Sequence, residues 1–274
     1  MRNLLDPNVE TVILGGLGSD EKCVTKAANS LETVLERKVI GVTNHDARAN
    51  IMGFVALIDG RNVIPYSGGA TTTYAAIDRH GARPASVNFV APPDTLSRYG
   101  ALRGFVKSAV ARTASIPSDD GEGALSQIGR FIREVGGHPE DYFRLIHESR
   151  RFEQLAAAVS LRSLGIDKVG LVVPRDDEMF SSYELPSDHK PGDVVDGVRY
   201  IVVDGGHTRF SSDAAAMLRE AETSPFAVVN EQVLGVDIPE RLWAAPTMGE
   251  ALTASAHALF EQVARRRQKI LRAA

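Results

Sequence analysis

The chain has 274 residues, of which 43% are hydrophobic and 24% are charged, so it can bury a large core and wholesale disorder is excluded. Its formal net charge of −4 argues against general nucleic-acid binding, because proteins that bind nucleic acids usually carry a surplus of basic residues. Cys23 is the only cysteine, which excludes an intrachain disulfide and is compatible with a reducing compartment. The N-terminus lacks the apolar core of a signal peptide, and the longest apolar stretch, 51–58, is far shorter than the roughly 20 residues that span a bilayer. We therefore expect a cytoplasmic protein without a membrane span.

Short apolar runs alternate with helical patterns over the first 93 residues, which is typical of a parallel sheet with crossover helices. Four strands and two intervening helices are predicted here: strands at 12–14, 38–42, 62–64 and 85–91, and helices over about 24–34 and 49–57. A segment rich in small residues follows the third strand and runs to Gly81, which is a suitable helix stop.

The second half of the chain begins with a long stretch in which strand patterns are absent. Residues 94–168 carry only amphipathic helical patterns, which predicts a helical insertion between two strands of the sheet. Strands resume at 169–173 and 200–203, and a capping-box pattern predicts a helix that begins near Thr247. The predicted fold class is α/β, with a mostly parallel sheet and helices on both faces.

Three residues of a type that can carry chemistry come directly after predicted strands. Ser67, Asp177 and His207 each lie just past the C-terminal end of one. In an open parallel sheet these ends form the crevice where ligands bind. A serine hydroxyl becomes a nucleophile when a histidine removes its proton, and a carboxylate fixes the tautomer of that histidine. The three loops therefore predict a Ser-His-Asp relay, with Asp176 and, more weakly, Asp204 as rivals for the acid.

With these residues in this order, the chain resembles the α/β-hydrolase superfamily through about residue 215. The family carries a G-x-S-x-G nucleophile elbow on a strand-to-helix turn, followed along the chain by the acid and then the histidine. Here the elbow reads Pro65-Tyr66-Ser67-Gly68-Gly69, so proline stands where the family has its first glycine. Asp177 follows the strand after the insertion, and the turn 205–208 is similar to the histidine loop of the family.

The resemblance implies further assignments. The loop Gly15-Gly16-Leu17-Gly18-Ser19 matches the loop that supplies one backbone N–H of the oxyanion hole, and the residue after the nucleophile supplies the other. It therefore assigns Leu17 and Gly68 as the two donors. Three residues near the crevice are candidate substrate contacts: Gly16, Tyr66 and His45.

The resemblance also implies three segments. Residues 1–93 would be the first part of an α/β-hydrolase core, 94–168 an inserted helical cap over the crevice, and 169–274 the second part of the core with a C-terminal helical extension. The implied function is hydrolysis of a small-molecule acyl compound (an ester, a thioester or an amide) through an acyl-enzyme intermediate. The C-terminal extension could cover the sheet or build a homodimer contact, and the sequence leaves both open.

Two other classes of protein remain open. A catalytically silent α/β-hydrolase fold could act as a binding or receptor protein, and Pro65 is the feature that keeps this reading open. A dinucleotide-binding protein could use Gly16 and Gly18 with Asp46 as the ribose acid, but Glu21 replaces the third glycine and would oppose a pyrophosphate. Because metal-ligand spacings are absent from the sequence, we expect neither a metal nor another cofactor.

Overall fold

The computed structural model describes residues 4–16, 19–93, 152–177, 189–190, 193 and 195–234. The elements in these ranges, in chain order, are β1 Thr11–Leu14, α1 Glu21–Leu35, β2 Val39–Val42, α2 Asn44–Ala49, α3 Ile51–Ile58, β3 Asn62–Pro65, α4 Gly69–Asp78, β4 Ser86–Val90, α5 Gln154–Ser163, β5 Lys168–Pro174, β6 Val198–Val203, α6 Arg209–Ser212, α7 Ala214–Thr223, β7 Phe226–Val229 and α8 Glu231–Leu234.

The described strands form one seven-stranded sheet in the order β2-β1-β3-β4-β5-β6-β7. All neighbours pair in parallel except β6 and β7, which are antiparallel. From β1 the chain steps outward to β2 and then returns to the other side of β1 with β3, so the strand order reverses between β1 and β3. Such a reversal separates the loops that follow two adjacent strands and opens a crevice at the C-terminal edge of the sheet.

Helices cover both faces of the sheet, because successive strand residues point to opposite sides and both sides are apolar. On β1, Val12 and Leu14 join one buried cluster and Ile13 joins the other. The first cluster includes side chains of α3, α4 and α5, and the second includes side chains of α1 and α7. The predicted fold class, a mostly parallel sheet between helices, is confirmed.

Local signals explain where the first helices begin. Asp20 caps α1 by accepting a hydrogen bond from the backbone N–H of Cys23 at 2.8 Å. Thr43 caps α2, and its hydroxyl also donates to the Asp46 carboxylate at 2.5 Å. The predicted helix over 49–57 corresponds to α3, and the cap at Thr43 starts a further short helix, α2, which was not predicted.

Pro65 is buried at the end of β3 and interrupts the pairing of β3 with β4. Tyr66 donates its N–H to the Leu14 carbonyl on the β1 side, whereas Ser67 donates to the Val90 carbonyl on the β4 side. Residue 65 therefore faces β4, where proline has no N–H to donate. The β3–β4 ladder correspondingly stops after Val63 and resumes only as the isolated bridge between Tyr66 and Val90.

The predicted cap, 94–168, and the C-terminal extension fall largely outside the described residues. Of the cap, residues 94–151 lie outside them, and the described end of the segment packs on the sheet through Phe152 and α5. A cap thus stays a prediction for 94–151. The predicted helix near Thr247 also lies outside the described residues. Among the helices that are described, none has the length and apolar character needed to cross a membrane.

Candidate active site

The His207 imidazole lies between Ser67 and Asp177. Its Nε2 is 2.9 Å from the Ser67 Oγ, and its Nδ1 is 3.0 Å from the Asp177 Oδ2. A carboxylate can only accept, so Nδ1 carries the proton and Nε2 is left to accept from the serine hydroxyl. The side chains of His207 and Asp177 are 4% and 1% exposed, so the bond between them is shielded from water. The structure thus brings together three residues that are 140 and 30 positions apart in the chain.

The two rival acids lie elsewhere. Asp176 is exposed, and its backbone N–H donates to the Gly205 carbonyl at 3.1 Å. Asp204 pairs with the exposed guanidinium of Arg175 at 3.3 Å, and its side chain is 80% exposed. Asp177 is therefore the carboxylate that faces the imidazole.

The acid loop and the histidine loop are hydrogen-bonded to each other. Arg175 donates its N–H to the Val203 carbonyl at 2.7 Å, next to the bond between Asp176 and Gly205. Gly205 has a φ of +95°, a conformation that favours glycine, and a Cβ there would lie 2.8 Å from the Cδ of Arg209. Because the ends of β5 and β6 are joined in this way, Asp177 and His207 keep a fixed separation.

Ser67 occupies the sharp turn between β3 and α4 with a φ of +49°, the left-handed region that residues with a Cβ rarely adopt. Two glycines make room for this turn. A Cβ on Gly69 would lie 2.7 Å from the Gly15 carbonyl oxygen, and one on Gly16 would lie 2.7 Å from the Ser67 Cβ. The strained serine therefore needs side-chain-free neighbours on the loop after β1 and at the start of α4.

The strain at Ser67 predicts an unusual order of stability. We expect Ser67→Gly to be more stable than Ser67→Ala by about 1 kcal/mol, because glycine adopts a positive φ without the steric cost that alanine incurs. Urea unfolding of the two variants measures the difference. The same pair at Ser163, the exposed last residue of α5, should give the opposite order, because alanine is favoured in a helix. Equal stabilities at position 67 would contradict the strained turn.

The predicted oxyanion donors are only partly described. Gly68 is buried directly after Ser67, and none of the backbone hydrogen bonds within the described ranges uses its N–H. Leu17 lies outside the described residues, so its role stays a prediction. The adjacent Gly16 donates its N–H to the Ser19 Oγ at 3.1 Å, which fixes the start of this loop.

The three candidate substrate contacts lie in different settings. Gly16 is against Ser67, and a Cβ there would be 3.3 Å from the Ser67 Oγ. Tyr66 is buried, and its hydroxyl donates to the backbone carbonyl of His207 at 2.9 Å. His45 is half-buried in α2, after the neighbouring strand β2. Contact of any of them with substrate stays a prediction.

Two residues that support the site were not predicted from the sequence. The Ser19 hydroxyl accepts a hydrogen bond from the N–H of Gly16, and a serine at the end of a glycine-rich loop could have predicted this role. Phe210 stacks on the Tyr66 ring with centroids 5.4 Å apart, which only the packing of α6 reveals. The part of the chain that the structure describes holds no group of three His, Cys, Asp or Glu side chains that could bind a metal ion.

Known structures share this architecture, although no protein-family model and no curated protein matches the chain. A proposed lipase from Acinetobacter baumannii is 10% identical with a TM-score of 0.50, over 77% of this chain and 81% of that one. A proposed non-heme bromoperoxidase from Mycobacterium tuberculosis is 14% identical with a TM-score of 0.47, over 77% and 91%. A hydrolase from Oleispira antarctica is 10% identical with a TM-score of 0.44, over 75% and 86%. Together with the sheet order, the likeness to the lipase structure shows that the chain has the α/β-hydrolase fold.

Proposed function

We propose that the protein is a serine-dependent hydrolase of the α/β-hydrolase superfamily that acts on a small-molecule acyl compound through an acyl-enzyme. The observation that carries the proposal is the line of hydrogen bonds from the Ser67 Oγ through His207 to Asp177, with lengths of 2.9 and 3.0 Å. The position of Ser67 supports the proposal, because Ser67 follows β3 next to the point between β1 and β3 where the strand order reverses. Ligands of open α/β sheets bind at such points. The structural neighbours described as hydrolases are compatible with the proposal.

In the first step of the proposed reaction, the Ser67 Oγ attacks the carbonyl carbon while its proton passes to the Nε2 of His207. The Asp177 carboxylate stabilises the resulting imidazolium and keeps its Nδ1 proton in place. The carbonyl oxygen then carries a negative charge, which the N–H groups of Gly68 and Leu17 would hold. Each such donor contributes on the order of 3 kcal/mol toward the transition state.

The tetrahedral intermediate then collapses, and the bond to the leaving group breaks. His207 gives its proton to that leaving group, which departs as an alcohol, a thiol or an amine and leaves the acyl group on Ser67. A water molecule then attacks the acyl carbon while His207 takes one of its protons. Release of the acid returns the proton to the Oγ of Ser67, so the enzyme is regenerated.

The substrate class rests on the chemistry of the relay, which serves esters, thioesters and amides alike. A graded series of p-nitrophenyl esters and acyl thioesters would define the bond and the chain length that this protein prefers. A cap built from 94–151 would select among these substrates. A cytoplasmic location, a homodimer and the absence of nucleic-acid partners stay predictions.

A fluorophosphonate probe tests the proposal directly, because it phosphonylates an activated serine and leaves ordinary serines alone. We expect the purified wild-type protein to gain one adduct, located on Ser67 by peptide mass spectrometry. The variant Ser67→Ala should gain none, whereas Ser163→Ala, which removes an exposed hydroxyl, should be labelled like the wild type.

The alternatives predict other outcomes. A silent binding protein would leave the wild type unlabelled, and an adduct on another serine would place the nucleophile elsewhere. A dinucleotide-binding protein would bind NAD(P)H, and the structure disfavours this reading because the Asp46 carboxylate accepts from the Thr43 hydroxyl within the cap of α2. Esterase activity that persists in both Ser67→Ala and His207→Ala would contradict the mechanism.

A further inference from the structure

Tyr66 connects the two halves of the candidate site. It precedes Ser67 in the chain, and its hydroxyl donates to the backbone carbonyl of His207 at 2.9 Å in a buried position. Its ring lies 5.4 Å from the His207 imidazole at an interplanar angle of 36°. One side chain therefore contacts both the backbone and the ring of the histidine that faces Ser67.

The sheet holds the backbone of Tyr66. Its N–H donates to the Leu14 carbonyl of β1 at 2.9 Å, and it forms an isolated parallel bridge with Val90 at the end of β4. The next residue, Ser67, donates its own N–H to the Val90 carbonyl. The phenol and the serine hydroxyl are thus carried by adjacent residues of one rigid turn.

His207, in contrast, belongs to a loop that follows β6, three positions away from β3 in the sheet. Adjacent strands are about 4.8 Å apart, so this loop reaches back across the sheet edge to bring its imidazole to Ser67. The phenol of Tyr66 meets the loop at that point. Phe210, the next aromatic residue after His207, also stacks on the Tyr66 ring, at an interplanar angle of 29°.

We propose that Tyr66 is a positioning residue, whose hydroxyl sets the separation between the Ser67 Oγ and the His207 Nε2 by holding the carbonyl of residue 207. This inference rests on the proposed roles of Ser67 and His207 and replaces the predicted substrate contact of Tyr66. The hydroxyl is engaged by the backbone, and the side chain is buried among the apolar residues between the sheet and α7. It acts through the histidine and does not touch the reacting atoms.

The variant Tyr66→Phe removes the hydroxyl and keeps the ring that stacks on Phe210. We expect its kcat for the preferred p-nitrophenyl ester, and its rate of fluorophosphonate labelling, to fall about tenfold, the factor that corresponds to one lost neutral hydrogen bond. KM should stay within about twofold of the wild type, because no substrate contact is lost.

Tyr74→Phe is the matched control. The Tyr74 hydroxyl is 3.0 Å from the Ser160 Oγ, in a contact between α4 and α5, and burial raises the pKa of this hydroxyl. The control removes one hydrogen-bonded tyrosine hydroxyl of the fold without touching the histidine loop, so its kcat should be unchanged. Phe210→Leu is a second test, because it loosens the Tyr66 ring and leaves its hydroxyl, and a smaller fall in kcat is expected.

NMR provides a measurement that needs no activity. The Cε1–H signal of His207, assigned by its loss in His207→Gln, should be single and sharp in the wild type and in Tyr74→Phe. It should broaden or double in Tyr66→Phe, because the imidazole then exchanges between orientations. If the wild type is not labelled but this signal responds, the proposed function fails and the positioning role stands.

Two results would overturn the inference. One is a Tyr66→Phe variant with unchanged kcat, labelling rate and His207 signal. The hydrogen bond from Tyr66 to the His207 carbonyl would then contribute to the fold alone and would not position the imidazole. The other is a raised KM with unchanged kcat, which would restore Tyr66 as a substrate contact.

Discussion

Replacing Asp177 by asparagine is expected to lower kcat by about 10⁴-fold while the fold is retained. The asparagine amide can donate to Nδ1 of His207, which favours the tautomer with its proton on Nε2. In that tautomer Nε2 cannot accept the proton of the Ser67 hydroxyl, 2.9 Å away. Steady-state hydrolysis of the preferred p-nitrophenyl ester measures the loss, and a urea unfolding curve shows that the variant is folded.

The neighbouring aspartate provides a control that differs by one position. Asp176→Asn makes the same chemical change on an exposed side chain, and kcat should stay within about twofold of the wild type. If Asp176→Asn lost activity and Asp177→Asn kept it, the acid would be the other residue. If both were fully active, the histidine would work without a carboxylate partner and the proposed relay would not describe this protein.

Replacing Gly69 by alanine is expected to lower the free energy of unfolding by about 2–3 kcal/mol, the upper part of the range of about 1–3 kcal/mol that is typical of overpacked cores. The added Cβ would lie 2.7 and 2.9 Å from two backbone carbonyl oxygens, those of Gly15 and Leu14. Leu14 ends β1 and Gly15 follows it. The Leu14 carbonyl accepts from the Tyr66 N–H and the Gly15 N–H donates to the Val42 carbonyl, so neither oxygen can move away at low cost. Thermal and urea unfolding measure the loss.

Gly53 is the comparison for this substitution. It lies exposed in α3, and the three atoms nearest to a Cβ there all belong to the side chain of Asn50. If that side chain rotates away, it gives up its cap on the Gly53 N–H, but the higher helix propensity of alanine offsets this loss. Gly53→Ala should change stability by less than about 1 kcal/mol. Similar small effects at both positions would mean that the start of α4 can shift, and that the turn at Ser67 is less constrained than its φ indicates.

Most of the fold could be predicted because apolar runs mark its buried strands. Val12, Ile13 and Leu14 are apolar without alternation, and this indicates a strand that is covered on both faces. The edge strand β7 escaped prediction, because four apolar residues between a helix and a polar turn are equally typical of a buried loop. The short helix α2 was also missed, since a capped six-residue helix has no room for an apolar period.

For the candidate site, the sequence predicted which loops contribute residues, but it did not predict which side chains contact each other. Strand ends placed Ser67 and His207 at one edge of the sheet, but two adjacent aspartates differ only in how the chain turns after β5. That turn depends on hydrogen bonds from Arg175 and Asp176 to the histidine loop, which join partners distant in sequence. The contact of Tyr66 with His207 was unpredictable for the same reason, because it depends on how far the loop after β6 extends over the sheet.

The proline at position 65 bears on how nucleophile elbows are recognised. A search pattern that demands glycine two residues before the serine passes over this chain, although the turn itself is present with a φ of +49° at Ser67. Two positions that leave no room for a side chain next to this turn are Gly16 and Gly69, and Gly16 belongs to the loop after β1. A search pattern built on these two positions and on the backbone angle of the serine would also find turns that lack the first glycine of the motif. It would place no requirement on residue 65.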